Sequence, residues 1–205
     1  MNPDPLVDLD ARLLSISSNT PTPIVIDRLL RLQNGDDWQK PITVYISPAE
    51  DNRSIGVLDF LQIYAVTRVL RSPIHTVALG TLRGYDPLIL AAGQRGHRHI
   101  LNHSLMCLEP FKFDGLPFCE RPIGMAQAQG ASLREQAEKL LRAELDAIVQ
   151  DLRLDRDLFK MPKIVSAEES IAKGLADAIV PIHTPRMVRG KQPDLSPKPA
   201  LTAMR

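Results

Sequence analysis

Cysteine is scarce: Cys107 and Cys119 are the only two among 205 residues. Two are too few for a disulfide framework, and their spacing fits no metal-ligand pattern. A reduced, cytoplasmic setting is expected on that ground, and the stroma of a chloroplast or other organelle fits the same facts. Charge of one sign is also missing. The formal net charge is +1, so nothing pulls the whole chain toward nucleic acid or an anionic membrane. No apolar run approaches the length of a membrane span. The N-terminal stretch "MNPDPLVDLDARLL" is acidic and lacks the basic-then-apolar order of a signal peptide. There are no internal repeats. No Walker motif is present, so ATP use would fall to a separate partner.

What remains is an ordinary globular composition, 44% apolar and 24% charged, long enough for one domain with a real core. Apolar periodicity alternates strands with helices. "ARLLSI" reads as a first strand. "PIVIDRLLRLQNGDD" reads as a helix with apolar positions Ile24, Leu29, Leu30 and Leu32. "PITVYIS" is a strand. "GVLDFLQIYAVTRVLRS" is an amphipathic helix that Pro73 stops. "IHTVALG" is a strand, and "PLILAAG" a short buried helix that Pro87 starts and Gly93 ends. "HRHIL" and "SLMCL" are short strands.

A Gly- and Pro-rich insertion, "EPFKFDGLPFCERPIGMAQAQG", follows. The next segment predicts a long helix from Ser132 to Leu152. Its apolar stripe is Leu133, Ala137, Leu140, Leu141, Leu145, Ile148, Val149 and Leu152, with Glu135–Lys139 and Glu138–Arg142 pairs on the wet side. Ser166 and Glu169 form a capping box before a helix ending at Gly174. "LADAIVPI" supplies the last strand. The βαβ alternation predicts an α/β fold with a parallel sheet. Residues 183–205 are Pro-rich and basic and read as a disordered tail behind a folded domain of residues 1–182.

Three pieces in order resemble the ClpP family of ATP-dependent serine proteases: "KPITVYISP", "HTVALG" with "LILAAGQRGHRHILNHS", and "SAEESIAKGLADAIV". The similarity runs from about Asp8 to Ile182. It implies the ClpP/crotonase fold of repeated ββα units, with a projecting handle over residues 110–152 formed around the long helix. It also implies two stacked seven-membered rings enclosing a chamber. Few residues precede "ARLL", which implies a shortened axial gate.

A serine protease needs an activated hydroxyl, a base, a group holding the base, and donors for the oxyanion. The turn Thr81–Pro87, where the family carries its nucleophile, contains no serine. The resemblance places Gly84 at the nucleophile and Glu109 at the base. Leu158 falls at the third position, or Asp157 if the register slips by one. The oxyanion turn of the family is Ser-Pro-Gly-Gly. Here it reads "SPAEDNRSIGV": Ser47 and Pro48 remain, the paired glycines are gone and the loop is longer. The donors would be Ile55 and Tyr85.

Other singled-out residues have blander readings. His97 and His99 alternate on one strand and lack a third metal ligand in view. His103 and Ser104 are neighbours on a strand and so point to opposite faces, which argues against a dyad. Cys107 reads as a buried structural thiol. Arg83 fills the vacated pocket, pairs with Glu109, or faces solvent.

The resemblance therefore implies a non-catalytic ClpP-like subunit, comparable to the ClpR-type paralogs of mixed complexes. Such a subunit needs no cofactor or metal. Its partners would be copies of itself or active ClpP-like subunits, with an AAA+ unfoldase docking on the ring. Neither nucleic acid nor membrane is expected among them. An alternative is a crotonase-like acyl-CoA thioester enzyme with Glu109 as base, and another is a ClpP-like homo-oligomeric scaffold.

Overall fold

A computed structural model of the chain describes residues 7–8, 11–17, 19–33, 38–48, 54–113, 116 and 127–181. A six-stranded sheet forms the centre. Its strands are β1 (Val7–Asp8), β2 (Leu13–Ile16), β3 (Ile42–Ile46), β4 (Ile74–Ala78), β6 (Arg98–Leu101) and β9 (Ala178–Val180), in that order across the sheet. All neighbours are parallel except β1, which runs antiparallel to β2. A second, three-stranded sheet joins β5 (Thr81–Arg83), β7 (Leu105–Leu108) and β8 (Lys163–Val165).

Alternation along the strands decides which face is covered. Leu14, Ile16, Val44, Ile46, Ala78 and Ile100 are buried on one face, while Ser15, Tyr45, His75 and His99 are half-buried on the other. The helices α1 (Thr22–Gln33) and α3 (Asp86–Ala91) pack on the buried face, and α2 (Val57–Val69) packs against both. All six residues of α3 are buried. Its end lies hard against β4. A Cβ on Gly93 would sit 2.3 Å from Thr76 Oγ1, and that hydroxyl donates to the Leu90 carbonyl at 2.8 Å. Only glycine fits there.

Several expectations need correction. The segment Thr81–Arg83 is a strand rather than part of a turn, because it pairs with β7 in register Leu82↔Met106. On α1 the buried stripe is Val25, Leu29 and Leu32, spaced as one helical face requires. Ile24 and Leu30 fall off that face and stay exposed. The long helix α4 spans Gln127–Asp151. Its apolar stripe is buried only from Leu145 through Ile148 and Val149, with Leu152 just beyond, whereas Leu133 is 44% and Leu140 72% exposed. Glu138 pairs with Arg134 at 2.7 Å rather than with Arg142, and the Arg142 guanidinium lies 5.0 Å over the Phe113 ring. The capping box at Ser166 and Glu169 is present before α5 (Ala167–Ala172).

β1 extends the sheet by an antiparallel edge, and β8 follows a 3₁₀ turn at Arg156–Phe159. The Pro-rich tail, most of the 114–126 insertion with Cys119, and the middle of the loop after Pro48 lie outside the described residues.

Candidate functional site

The carboxyl end of β4 leads into the site. Leu79 and Gly80 break the strand, β5 runs for three residues, and Gly84 and Tyr85 turn the chain into α3. Gly84 has φ +55° and Gly80 φ +74°, a region that side-chain-bearing residues enter at a cost. The turn is sharp and opens directly onto a helix.

Residues of the preceding loop sit on this turn. Pro48 Cγ lies 3.2 Å from where a Cβ on Gly80 would be. Ser54 is closer still: its Oγ is 2.4 Å and its Cβ 2.6 Å from the Cβ position of Gly84. The Ser54 side chain thus fills the space a side chain at residue 84 would need. Ile55 is buried, and its N–H donates to Asp86 Oδ1 at 3.4 Å. Asp86 also accepts the Arg83 N–H. Burial raises its pKa from 3.8 to about 7, and those two N–H groups offset only part of the desolvation.

From the other side, residues 109–112 close the site. Ser54, Gly84, Tyr85, Glu109, Pro110, Phe111 and Lys112 line a cavity of about 40 Å³, room for about one water and no peptide. The Glu109 carboxylate is ion-paired with Lys112 Nζ. The Tyr85 hydroxyl donates to the Lys112 carbonyl at 2.7 Å. The sequence holds five phenylalanines, three tyrosines and one tryptophan, and most of them gather here. Tyr85 stacks on Phe60 at 5.6 Å and on Phe111 at 5.9 Å, and Phe111 stacks on Phe159 at 5.0 Å. Tyr64 adds a further ring beside Phe60. This column packs the ground under the elbow with the chain's own apolar surface.

The remaining positions are separate from the cavity. Leu158 is buried in the core, and Asp157 is exposed and paired with Lys160 at 2.6 Å. Ser47 donates its N–H to the Ile16 carbonyl at 3.0 Å, holding the end of β3 to β2. Ser104 is buried and accepts the Gly80 N–H at 2.9 Å, so its hydroxyl braces the elbow. Arg83 does not reach Glu109, which Lys112 holds; the Arg83 Nε is buried without a hydrogen-bond partner among the described residues. Cys107 is buried and free. His97 stacks on His75 of the neighbouring strand, centroids 4.0 Å apart and 2° from parallel. Burial first, then His97 and His99, lowers the His75 pKa. No group of three or more potential metal ligands exists among the described residues.

Nothing in the sequence marks Ser54 or Asp86. No periodicity marks a serine in a polar loop, and "YDP" reads as an ordinary helix start. Only the third dimension shows the loop folding back on the turn.

Comparison with known families matches residues 13–183 to the Clp protease family. The chain belongs to that family. It is 33% identical over 158 residues to the ATP-dependent Clp protease proteolytic subunit 4 of Rhodococcus jostii, an alignment covering 77% of this chain and 76% of that protein. With the ATP-dependent Clp protease proteolytic subunit 2 of Streptomyces avermitilis it shares 27% identity over 77% of this chain and 74% of the other. The crystal structure of a peptidase from Plasmodium falciparum superposes with a TM-score of 0.69. It covers 84% of this chain and 97% of that one at 22% identity, which shows a shared fold. No helix among the described residues is long and apolar enough to cross a membrane.

Proposed function

We propose that this Clp-family chain is a non-catalytic proteolytic-subunit homologue that builds ring wall and docking surface instead of cutting peptides. The observation that carries the reading is the state of the elbow. Gly84 has no hydroxyl, and Ser54 fills its side-chain space. Glu109, in the position of the base, is ion-paired with Lys112. The Ile55 N–H turns to Asp86. An acyl-enzyme cycle needs a nucleophile, a free base and unoccupied oxyanion donors together. The acyl-CoA alternative needs the same free Glu109 and the same donors.

The role left is assembly. Residues 1–182 form the folded unit, residues 110–152 its handle, and residues 183–205 a basic tail. The exposed half of the α4 stripe, Leu133 and Leu140, has the apolar spacing to meet a counterpart across a ring equator. The partners are copies of itself or active Clp subunits in stacked seven-membered rings, with an AAA+ unfoldase docking outside, in the cytoplasm or an organellar stroma.

Two measurements test this. The purified chain should hydrolyse no short fluorogenic peptide and take no fluorophosphonate label. Tagged protein from its native host should bring down an active Clp subunit or assemble with itself. Steady peptide turnover by the pure chain would overturn the proposal, and so would a strictly monomeric protein with no Clp partner.

A further inference from the structure

We infer that the degenerate site is held shut from within, with Ser54 as a plug on the elbow and Asp86 as the latch that ties down Ile55; this rests on the non-catalytic reading and adds how the site is closed. Loss of a nucleophile alone would leave an empty slot above Gly84. The slot is filled instead. Ser54 Oγ and Cβ lie 2.4 and 2.6 Å from the Cβ position of Gly84, far inside contact distance, so no side chain at residue 84 coexists with Ser54 in this place.

One residue on, the Ile55 N–H donates to Asp86. Asp86 is 2% exposed, has no cation beside it among the described residues, and begins α3, the helix that the elbow opens. A carboxylate buried there carries a desolvation cost that no ion pair offsets. Outside its own turn it accepts from Ile55. Together the two contacts fasten residues 54 and 55 onto residues 84 to 86. The plug and the latch act on adjacent residues, so each positions the other. Neither is a catalytic group: the first occupies space and the second withholds a donor.

The test reads access and not catalysis. Hydrogen exchange at the Gly84 and Tyr85 amides is followed in the full chain, with Gly84 left in place. Ser54→Gly should raise their exchange roughly tenfold or more, as opening of a closed segment does. Equal rates with and without the Ser54 side chain overturn the plug and leave the non-catalytic reading standing. The latch is tested without touching the elbow. In Asp86→Ala the Ile55 amide should exchange with deuterium roughly tenfold faster, the ratio expected for one lost buried hydrogen bond. Amides of β3 and β4 should keep their protection. Unchanged exchange at Ile55 overturns the latch. Fluorophosphonate labelling of Ser54 in the wild-type chain would instead overturn the non-catalytic reading itself.

Discussion

Asp86 and Asp177 are both inward-facing aspartates in one domain, and their surroundings push them in opposite directions. Asp177 stands at the β9 rim of the sheet. Its carboxylate accepts from Arg98 Nη2 at 2.5 Å, Arg98 Nε at 2.9 Å, the Arg98 N–H at 3.0 Å and the Gly96 N–H at 2.7 Å. Hydrogen bonds from Arg98, chiefly, lower its pKa from 3.8 to about 2. Among the described residues Asp86 at the elbow receives two backbone N–H groups, those of Ile55 and Arg83, and burial carries it up to about 7. The rim compensates its buried charge, whereas the elbow does not. Packing alone does not explain an uncompensated carboxylate in an all-buried helix. It marks the elbow as a place where local stability is given up to hold a particular geometry.

The largest expected effect comes from breaking the compensated side. Arg98→Met leaves Asp177 without its cation and strips the Gly174 carbonyl of the Arg98 Nη1 donor at 2.8 Å. Removing one member of a buried pair costs about 3–5 kcal/mol. The Asp177 side chain is 20% exposed, which places the loss at the low end. Urea unfolding at neutral pH measures it. A loss under about 1 kcal/mol would put this pair with ordinary surface ion pairs and erase the contrast.

The next effect sharpens the uncompensated side. Because the folded-state pKa of Asp86 is raised, the folded chain holds a proton that the unfolded chain releases between pH 4 and 7. Its contribution is fully present below about pH 4 and is lost as pH rises toward 7. A rise from 3.8 to about 7 corresponds to at most about 4 kcal/mol. Asp86→Asn should remove that slope and gain about 1–3 kcal/mol over the wild type at pH 8, seen as a higher thermal midpoint. Asp177 has the opposite sign: its depressed pKa gives stability present above about pH 4 and lost as pH falls toward 2. Asp177→Asn should therefore flatten only the acid limb. The two variants acting on the same limb would refute the assignment.

The scaffold was legible in the sequence because it rests on local signals. β-branched runs with period two marked β3 and β4, Pro87 and Gly93 bounded α3, and Ser166 with Glu169 announced α5. Less legible were elements whose stability lies in pairing. β5 and β8 are three residues each and exist through β7 between them. The α4 stripe reads as continuous, yet burial begins only at Leu145, with Leu140 72% exposed. At the site the glycine at residue 84 and the absence of serine from the turn Thr81–Pro87 are plain from the sequence. Ser54, Asp86 and the Lys112 grip on Glu109 are not, because they arise from three segments meeting at one turn.

The smallest expected effect is on catalysis: Gly84→Ser should give no peptide turnover above that of the wild type. The substitution itself is resisted. A side chain at φ +55° costs about 1–2 kcal/mol, and Ser54 already occupies the space, so the variant should unfold at a slightly lower temperature. A serine placed there still lacks a base. Positioned bases contribute roughly 10²–10⁴-fold, and Glu109 is committed to Lys112. It also lacks a donor, since the Ile55 N–H is directed to Asp86, and one missing oxyanion donor costs about 3–4 kcal/mol. Gly84→Ser with Glu109→His supplies hydroxyl and imidazole but keeps plug and latch, so traces of activity are the most it should give. Adding Ser54→Gly and Asp86→Gly to that pair removes both obstacles, and this fourfold variant is where measurable turnover should first emerge. A fluorogenic-peptide assay across the series orders the obstacles. Robust activity from Gly84→Ser alone would mean that the elbow is open and that the base and donor lie elsewhere.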